Sequence, residues 1–344
     1  MGSWIRGATG CVAAVAGMVL AAQGAVAGPT LDAIKAHGKL RCGVSPSSAG
    51  FAYPDDKGRM LGLDAEVCRA VAAAALGDGD KVEFVPLTTN VRFQALQSGE
   101  VDLLSRQTTE TFSRDVTLGM NFAPVVFYDG QGVMVPKSLG VKSAMDLDGA
   151  AICILPGTTT EQNIADWFRT RGMTFESVVF EQPDEWRNAF FQGRCDVLTT
   201  DRSDLASSRA VANNPADYVI LPETISKEPL APVVRHGDDQ WLDIVTWTVN
   251  GLIAAEEKGI TRENAAKLAA ESQDPEIQRM LGTSEDLGAQ LGLDKDWLLR
   301  VITTVGNYGE MFDRNLGPGT PLDLERGQNT LWTDGGLLYA PPFR

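Results

Sequence analysis

RFQALQSGEVDLLS, residues 92–105, and WRNAFFQGRCDVLT, residues 186–199, resemble each other at a constant offset of 94 residues. Each stretch predicts a helix, a glycine that ends the helix, an acidic turn residue and a buried strand. Glycine is favoured at a helix C-terminus because a left-handed residue without a Cβ atom costs little. Two such units in the same register predict one α/β module that occurs twice, giving two lobes with a cleft between them.

Strand-like and helix-like segments alternate along the rest of the chain. Residues 40–44 are a short β-type run, and residues 64–76 place apolar side chains at helical spacing. Asp64 is a candidate N-cap of this helix, and Gly77 would end it. Residues 81–87 then alternate polar with apolar side chains, as a half-buried strand does. This order predicts an α/β fold with a mostly parallel sheet.

The chain is predicted to cross between the lobes twice. The glycine-rich residues 128–132 lead into a new strand, so lobe 1 is placed at 28–131 and lobe 2 at 132–233. The chain beyond, 234–344, begins with an amphipathic helix and is assigned back to lobe 1. From Asn307 onward the sequence is rich in Gly and Pro, which predicts an extended surface tail that packs through its aromatic residues.

The N-terminal residues 1–27 have the features of a secretory signal peptide. Arg6 is their only charged residue, an apolar run follows it, and Ala25-Val26-Ala27 forms a small-x-small cleavage site. A membrane anchor is the alternative, but the apolar run is short for a span of ~20 residues and no charged stop-transfer cluster follows it. We therefore expect a secreted protein whose fold starts near Gly28.

The charge balance excludes two classes of partner. The chain has 45 acidic and 30 basic residues, which gives a formal net charge of −15 at pH 7. A strongly acidic protein is repelled by nucleic acid and by anionic membrane surfaces, so we expect neither as a partner. The acidic balance alone does not identify a ligand.

Four cysteines follow the predicted leader, and an even number is typical of an exported protein with disulfides. Three pairings are open, and we favour the one that keeps each bond inside one lobe, which joins Cys42 to Cys68 and Cys153 to Cys195. Four buried free thiols are the alternative. No metal site is expected, because the chain has no C-x-x-C spacing and only two histidines.

Three polar loops follow predicted strands, which is where open α/β sheets bind their ligands. In the first loop, 106–114, Arg114 offers a carboxylate a planar, two-pronged set of donors. In the second, 155–161, Gly157 lets the backbone approach a ligand, and three threonines open a helix whose dipole favours an anion. This loop lacks the lysine of a P-loop, which argues against nucleotide binding. An ordinary capped helix is the alternative interpretation of both loops.

The third loop, 199–204, carries acidic groups. Asp201 stands at the end of the predicted strand and would give an ammonium group in a cleft its anionic partner. Asp204 competes for this role, or belongs to a helix N-terminus. Together the loops predict a cation for a carboxylate in one lobe and an anion for an ammonium group in the other.

At these loops the chain resembles the amino-acid-binding proteins of ABC importers, bacterial solute-binding proteins of family 3, and in particular the general L-amino-acid binding proteins. The resemblance covers nearly all of the chain after the predicted leader. It rests on the stretches GVSP (43–46), PDDKG (54–58), GLD (62–64), QSGEVD (97–102), TETFSR (109–114), PGTTTE (156–161) and TTD (199–201). It implies a two-lobed periplasmic-binding-protein fold of type II, with a hinge crossed twice and the ligand in the cleft between the lobes.

The resemblance also implies a role for individual residues. Arg114 is expected to bind the ligand α-carboxylate, assisted by Thr109 and by the backbone near Thr159 and Thr160. Asp201 and the backbone or carbonyl at Gln107 are expected to hold the α-ammonium group. Arg92 stands where relatives selective for acidic amino acids read the side chain, so we expect it to contact a Glu or Gln side chain.

The same pocket would be lined by Ser45, Ser48 and Phe51. Many relatives have an aspartate in place of Ser45 and an aromatic residue in place of Ser48. These departures indicate a roomier site that selects less strictly among ligands.

We therefore expect a monomeric protein of the periplasm that captures free L-amino acids of broad range, including glutamate and glutamine, and delivers them to an ABC permease in the inner membrane. No cofactor is expected. An enzyme is the rival hypothesis, because periplasmic dehydratases can share this architecture. The sequence has no G-x-S-x-G motif and no Cys-His arrangement, and neither histidine lies in a candidate loop, so we do not expect catalysis.

Overall fold

The computed structural model describes residues 1–2 and 28–344. Residues 3–27, which the sequence assigns to a signal peptide, lie outside this part. Within the described residues, no helix combines the length and the apolar character that a membrane span requires.

Strands and helices alternate through both halves of the described chain. The strands are β1 (Leu40–Val44), β2 (Tyr53–Pro54), β3 (Met60–Leu61), β4 (Val82–Pro86), β5 (Leu103–Leu104), β6 (Met120–Phe122), β7 (Phe127–Asp129), β8 (Gln131–Pro136), β9 (Ala151–Ile154), β10 (Glu176–Val179), β11 (Val197–Asp201), β12 (Tyr218–Ile220), β13 (Glu228–Leu230) and β14 (Val233–Arg235). The α-helices are α1 (Pro29–His37), α2 (Leu63–Leu76), α3 (Arg92–Ser98), α4 (Thr159–Arg169), α5 (Pro183–Phe191), α6 (Arg202–Ala210), α7 (Asp239–Glu257), α8 (Ala265–Glu271), α9 (Pro275–Met280), α10 (Leu287–Leu291), α11 (Trp297–Val305) and α12 (Tyr308–Asn315).

Two five-stranded sheets share one topology. The first sheet has the order β4-β1-β5-β14-β6, and the second has the order β10-β9-β11-β8-β12. The first three strands of each sheet are parallel, whereas β14 and β8 run antiparallel to both of their neighbours. Four strands of each sheet therefore run in one direction, which agrees with the predicted mostly parallel sheet. We call the parts built on the first and second sheets lobe 1 and lobe 2.

The repeated stretch explains why the two sheets match. Helix α3 ends at Gly99 and leads into β5, and α5 is followed by Gly193 and β11. Both glycines lie in the left-handed region, with φ of 78° and 73°, where a side chain would be strained. Strands β5 and β11 both take the central position of their sheets. The module predicted from the sequence is therefore present once in each lobe.

Two antiparallel strands join the lobes. β7 pairs with β13, and their neighbours along the chain, β8 and β14, belong to the second and first sheets. The chain therefore passes between the sheets twice. β8 begins at Gln131 and β14 at Val233, each one residue before the boundary placed from the sequence. The exact residue limits of the lobes stay a prediction.

Helix α2 lies at the centre of the core of lobe 1. It is rich in alanine, which favours the helix and lets neighbouring elements approach closely. All of its residues except Glu66 and Leu76 are buried, and it packs against the first sheet and against α7, α11 and α12. In lobe 2, successive residues of β8 and β9 point to opposite faces of the sheet, so that the faces carry two separate apolar clusters.

Each lobe contains one disulfide. Cys42 of β1 is bonded to Cys68 of α2, and Cys153 of β9 is bonded to Cys195, which precedes β11. These are the two pairs that the sequence favoured. All four cysteines are buried, so each bond fixes the core of its own lobe.

Helix α2 starts differently from the sequence prediction. Its N-cap is Gly62, with φ of 113°, rather than Asp64. A Cβ atom on Gly62 would lie 2.2 Å from the carbonyl oxygen of Phe51, so the close approach of these two segments requires glycine. Asp64 instead occupies the first turn of the helix and is buried.

The C-terminal region is not extended from Asn307, as the sequence predicted. Asn307 caps α12 through a reciprocal pair of hydrogen bonds with Glu310, and Tyr308 and Phe312 are buried in the core of lobe 1. The glycines and prolines that suggested a tail lie beyond this helix, where Phe343 is again buried.

Candidate functional site

A narrow cavity lies between the lobes. Its wall is formed by the loops that follow β1, β4 and β5 in lobe 1 and β9, β10 and β11 in lobe 2. These loops all leave the carboxyl ends of parallel strands, which is where sheets of this kind bind ligands. The doubled topology therefore brings two sets of loops together at one point.

Three buried arginines of lobe 1 gather at this cavity. Arg92 is the first residue of α3, Arg106 and Arg114 follow β5, and none is more than 6 % exposed. Nη1 of Arg114 donates a hydrogen bond to the carbonyl of Thr109, at 2.7 Å. The guanidinium carbons of Arg92 and Arg114 lie 4.8 and 5.1 Å from the centroid of the Phe93 ring, which supports both cations.

The positive charges act on one another because they are buried together. Burial lowers the pKa of Arg92 well below its ordinary value, and the charges of Arg106 and Arg114 lower it further. Burial lowers the pKa of Arg106 to about 10. An arginine with such a pKa is still protonated at neutral pH. Nε of Arg92 has no hydrogen-bond partner among the described residues, so lobe 1 has donor capacity left for an anion.

Lobe 2 supplies the opposite charge. Asp201 is the last residue of β11, Asp204 lies in the first turn of α6, and both line the cavity. Burial raises the pKa of the Asp201 carboxyl well above its ordinary value, and the charges of Asp129 and Glu228 raise it further. The charge of Arg92 acts in the opposite direction. A bound ammonium group would stabilise the ionised form of Asp201 in the same way.

Helix α4 begins at the wall of the cavity. Its N-cap is Thr158, whose hydroxyl oxygen accepts from the N–H of Glu161 at 3.2 Å. The first N–H groups of a helix have no partner within the helix, and the helix dipole places partial positive charge there. Two of these groups belong to Thr159 and Thr160, which both line the cavity. This helix end is therefore suited to bind an anion.

The backbone of Gln107 is fixed by a buried carboxylate. Gln107 has a φ of 37°, which is uncommon for a residue other than glycine. Its N–H donates to Asp64 at 3.1 Å, and the hydroxyl of Ser105 donates to the same carboxylate at 3.3 Å. Burial raises the pKa of Asp64 to about 7 in spite of these hydrogen bonds. Asp64 thus sets the shape of the loop that carries the predicted ligand-binding residues.

The lobes contact each other beside the cavity. The hydroxyl of Ser48 donates to Asp204 at 3.1 Å, and the hydroxyl of Ser47 donates to Asp184 at 2.7 Å. Nη2 of Arg187 donates to the carbonyl of Ser47 at 3.1 Å and to Asp184 at 2.9 Å. The cleft is therefore closed by direct hydrogen bonds between lobe 1 and lobe 2.

Glu228, at the start of β13, is bonded to both lobes. Its Oε2 accepts from the hydroxyl of Thr109 in lobe 1 at 2.6 Å and from that of Thr159 in lobe 2 at 2.9 Å. Its Oε1 accepts from Nδ2 of Asn163 at 2.7 Å and from the hydroxyl of Ser226. Glu228 is 1 % exposed, so this carboxylate is part of the interior of the molecule.

The family model described as bacterial extracellular solute-binding proteins, family 3, matches residues 40–263. The chain belongs to this family. The match begins with β1 and ends beyond α7, so it includes both sheets, the two hinge strands and every loop of the cavity.

Two known proteins are similar to this family 3 solute-binding protein over nearly their whole length. The glutamate/glutamine/aspartate/asparagine-binding protein BztA of Rhodobacter capsulatus is 56% identical, over 93% of this chain and 95% of the relative. The general L-amino acid-binding periplasmic protein AapJ of Rhizobium johnstonii is 52% identical, over 96% of this chain and 98% of the relative. A solved structure of a periplasmic binding protein from Brucella ovis with glutathione bound has a TM-score of 0.89 and 51% identity, and covers 92% of this chain and 99% of its own.

Most residues singled out in the sequence of this family 3 solute-binding protein meet at the cavity. Those in its wall are Ser45, Ser48, Arg92, Gln107, Thr109, Thr159, Thr160 and Asp201. Arg114 lies directly behind the wall and is held there by its hydrogen bond to Thr109. Their contacts with a ligand stay a prediction.

Phe51 is the exception. Its ring is 1 % exposed and lies in the core of lobe 1, where its centroid is 5.5 Å from that of Phe127. The chain turns sharply between Ser48 and Ala52, whose backbones are hydrogen-bonded to each other at 2.8 and 2.9 Å. This turn leaves Ser48 at the cavity and directs Phe51 into the core, so the expectation that Phe51 lines the pocket is wrong.

Several residues of the site were not singled out in the sequence, and the charged residues Arg106, Arg187 and Glu228 are among them. Arg106 stands in a candidate loop, and its position next to a predicted strand could have indicated it. Arg187 lies inside the repeated stretch, and its part of that stretch was interpreted only as a helix. Glu228 gave no local signal, because it is separated by 119 and 69 residues from the threonines that bond to it.

The buried carboxyl of Asp64 predicts how the stability of this family 3 solute-binding protein depends on pH. Its pKa is about 7 in the folded state and about 4 in an unfolded chain, so the folded state holds a proton that the unfolded chain releases. Stability from this group is complete below pH 4 and is lost as the pH rises through 7. We expect Asp64→Asn to flatten the pH dependence of the ligand-free protein between pH 5 and 8, by on the order of 2 kcal/mol.

Thermal unfolding at several pH values would measure this effect. The matched control is Asp56→Asn, which makes the same change at an exposed position of lobe 1. Equal pH profiles for wild type and Asp64→Asn would show that Asp64 is already ionised at pH 5.

Proposed function

We propose that this protein is the ligand-binding component of an amino-acid ABC importer. It would capture free L-amino acids of broad range in the periplasm, including glutamate and glutamine, and deliver them to a permease in the inner membrane. A cleaved leader would export it, and it would act as a monomer without a cofactor.

One observation carries this proposal: lobe 1 and lobe 2 place opposite charges at the same narrow cavity. The guanidinium groups of Arg92 and Arg106 lie on one side, backed by Arg114, and the carboxylate of Asp201 lies on the other. A free amino acid has a carboxylate and an ammonium group on one carbon atom, and it would satisfy both sides at once. The names of the two similar proteins, which describe binding of amino acids, support this assignment.

Binding would act on the hinge between the lobes. Arg114 in lobe 1 and Asp201 in lobe 2 can hold the same ligand only when the lobes are together, so the ligand favours the closed form. A ligand shifts this equilibrium only by the difference between its affinities for the two forms. The permease would then recognise the closed arrangement.

A thermal-shift screen of the twenty protein amino acids tests the proposal. A ligand that binds only the native state stabilises it by about 2.7 kcal/mol at a concentration of 100 times Kd. We expect several amino acids, glutamate and glutamine among them, to raise the melting temperature. The proposal fails if none of them does so at millimolar concentration.

Glutathione is a second candidate ligand, because the similar Brucella ovis protein was solved with it bound. Its γ-glutamyl part carries the same α-carboxylate and α-ammonium groups as a free amino acid. A wider groove shares Ser47 and Arg187 with the wall of the cavity and could take the rest of the tripeptide. Adding glutathione to the same screen, with competition against glutamate, tests whether both ligands use one site.

Catalysis is the competing proposal. A distant neighbour, 28% identical with a TM-score of 0.57, is described as an ancestral amino acid-binding protein and a precursor of cyclohexadienyl dehydratase. His37 and His236 lie outside the cavity wall, which leaves the site without an imidazole as acid or base. Assays of the purified protein with prephenate and arogenate decide between the two, and turnover of either would refute a purely ligand-binding role.

Arg92 is predicted to determine the preference for acidic side chains. Its buried guanidinium has a donor free among the described residues, and a hydrogen bond between charged groups contributes about 1.5–3 kcal/mol. We expect Arg92→Ala to weaken glutamate binding by about 10- to 150-fold and to leave alanine binding nearly unchanged. Calorimetry with both ligands measures the difference.

The exposed residue Arg169 offers the control, because Arg169→Ala removes a guanidinium of lobe 2 far from the cavity wall. Equal losses for glutamate and alanine would contradict the assignment of Arg92 to the ligand side chain.

A further inference from the structure

Glu228 does not line the cavity, but two of the groups that do are bonded to it. An ionised carboxylate has about four acceptor sites. All four are used here, by hydroxyls of Thr109, Thr159 and Ser226 and by the amide of Asn163. Since every partner is a donor, the carboxylate is fully satisfied without a ligand.

The hydroxyl protons of Thr109 and Thr159 are therefore already used in hydrogen bonds to Glu228. A hydroxyl group has one proton to donate and two lone pairs that accept. Thr109 and Thr159 each donate that proton to Oε2 of Glu228, at 2.6 and 2.9 Å. Toward the cavity, both oxygens can only accept hydrogen bonds. They cannot donate to a carboxylate, which is the role that the sequence resemblance suggested for Thr109.

We infer that Glu228 is a positioning residue for ligand specificity: it takes the hydroxyl protons of Thr109 and Thr159, so that both oxygens accept hydrogen bonds from the ammonium group of the ligand. This inference rests on the proposed function and adds a requirement to it. The carboxylate of the ligand is left to Arg114 and to the backbone N–H groups at the start of α4.

The hinge holds Glu228 in the position that this role needs. The N–H of Ala231 donates to the carbonyl of Thr108 at 3.0 Å, and the N–H of Glu110 donates to that of Pro229 at 2.9 Å. The loop that carries Thr109 therefore runs along the hinge strand β13. Thr159 comes from the other lobe, so both hydroxyls are oriented together only when the lobes are closed.

A pair of ligands that differ only in the ammonium group tests the inference. Glutarate is glutamate without its α-ammonium group, and the ratio of the two Kd values measures selection for that group. Both threonines donate to the same oxygen, which an amide would keep, so the variant must remove both oxygens; in Glu228→Leu neither threonine has this acceptor for its proton. We expect the glutarate-to-glutamate Kd ratio to fall about tenfold or more in Glu228→Leu.

The matched control is Glu223→Leu, which removes a carboxylate that accepts from Ser143 of lobe 2 and lies outside the cavity wall. An unchanged ratio in Glu228→Leu overturns the inference, even if both affinities or the melting temperature fall, because a merely structural residue would weaken both ligands equally. Failure of the wild type to bind any amino acid would instead refute the proposed function.

A second pair of variants applies if Glu228→Leu does not fold. Thr159→Val removes the hydroxyl while it keeps the shape of the side chain, and Thr159→Ser keeps the hydroxyl. We expect the Kd ratio to fall in Thr159→Val and to stay at the wild-type value in Thr159→Ser. Equal ratios in these two variants overturn the inference as well.

Discussion

Arg114→Ala is expected to lower the affinity for amino acids by roughly 30- to 4,000-fold, which corresponds to about 2–5 kcal/mol for a buried charged pair. Burial lowers the pKa of Arg114, whereas the charges of Glu228 and Asp201 raise it. The guanidinium of Arg114 therefore interacts electrostatically with both carboxylates. Removing it takes one counter-charge away from those carboxylates and leaves the ligand carboxylate without a bidentate donor. Calorimetric titration with glutamate measures the loss.

Two further variants separate charge from geometry. Arg114→Lys keeps the positive charge but cannot offer two parallel donors, so we expect an affinity between those of wild type and Arg114→Ala. Arg59→Ala removes an exposed guanidinium of lobe 1 and should bind as the wild type does. If folded Arg114→Ala kept wild-type affinity, the carboxylate of the ligand would have to be bound elsewhere.

Loss of either disulfide is expected to lower the free energy of unfolding by roughly 3–4 kcal/mol. The bonded cysteines are 26 residues apart in lobe 1 and 42 apart in lobe 2, and a bond that closes a longer loop restricts the unfolded chain more. Cys42→Ala with Cys68→Ala removes the first bond, and Cys153→Ala with Cys195→Ala removes the second. Urea unfolding of the wild type and both double variants measures the effect.

Reductant is the control for the disulfide prediction. It should destabilise the wild type and leave the variant without any of the four cysteines unchanged. Labelling with a thiol reagent under reducing conditions shows whether both disulfides of the wild type are reduced. If the labelled protein still unfolds at the urea concentration of the unreduced wild type, the prediction is wrong.

Local patterns were sufficient to predict the architecture. The helix, glycine and strand of residues 92–105 recur in 186–199 because each module needs the same turn at the same place, and this repeat indicated two lobes. The same reasoning placed the disulfides, since a bond inside a lobe needs two cysteines that one core brings together. Loops after strands were also identified correctly, because parallel strands direct their carboxyl ends to one edge.

Long-range contacts account for what the sequence did not indicate. Glu228 contacts Thr109 and Thr159 only because two hinge strands bring three distant segments together, and no spacing in the sequence encodes that meeting. Phe51 is three residues from Ser48 and was assigned to the same pocket, yet a tight turn sends it into the core. The composition also led to a wrong prediction at α12, which was expected to be part of an extended tail. It is a capped, buried helix, and the region rich in glycine and proline follows it.

The position of β14 between β5 and β6 has a consequence for synthesis. Lobe 2 draws all five strands of its sheet from one uninterrupted stretch, Gln131 to Ile220, whereas the sheet of lobe 1 is incomplete until residues 233–235 exist. Domains generally fold as units while the ribosome extends the chain from its N-terminus. Here the order is reversed: the half that is begun first is completed only after the inserted half has been made, and until then β5 and β6 lack the strand that joins them.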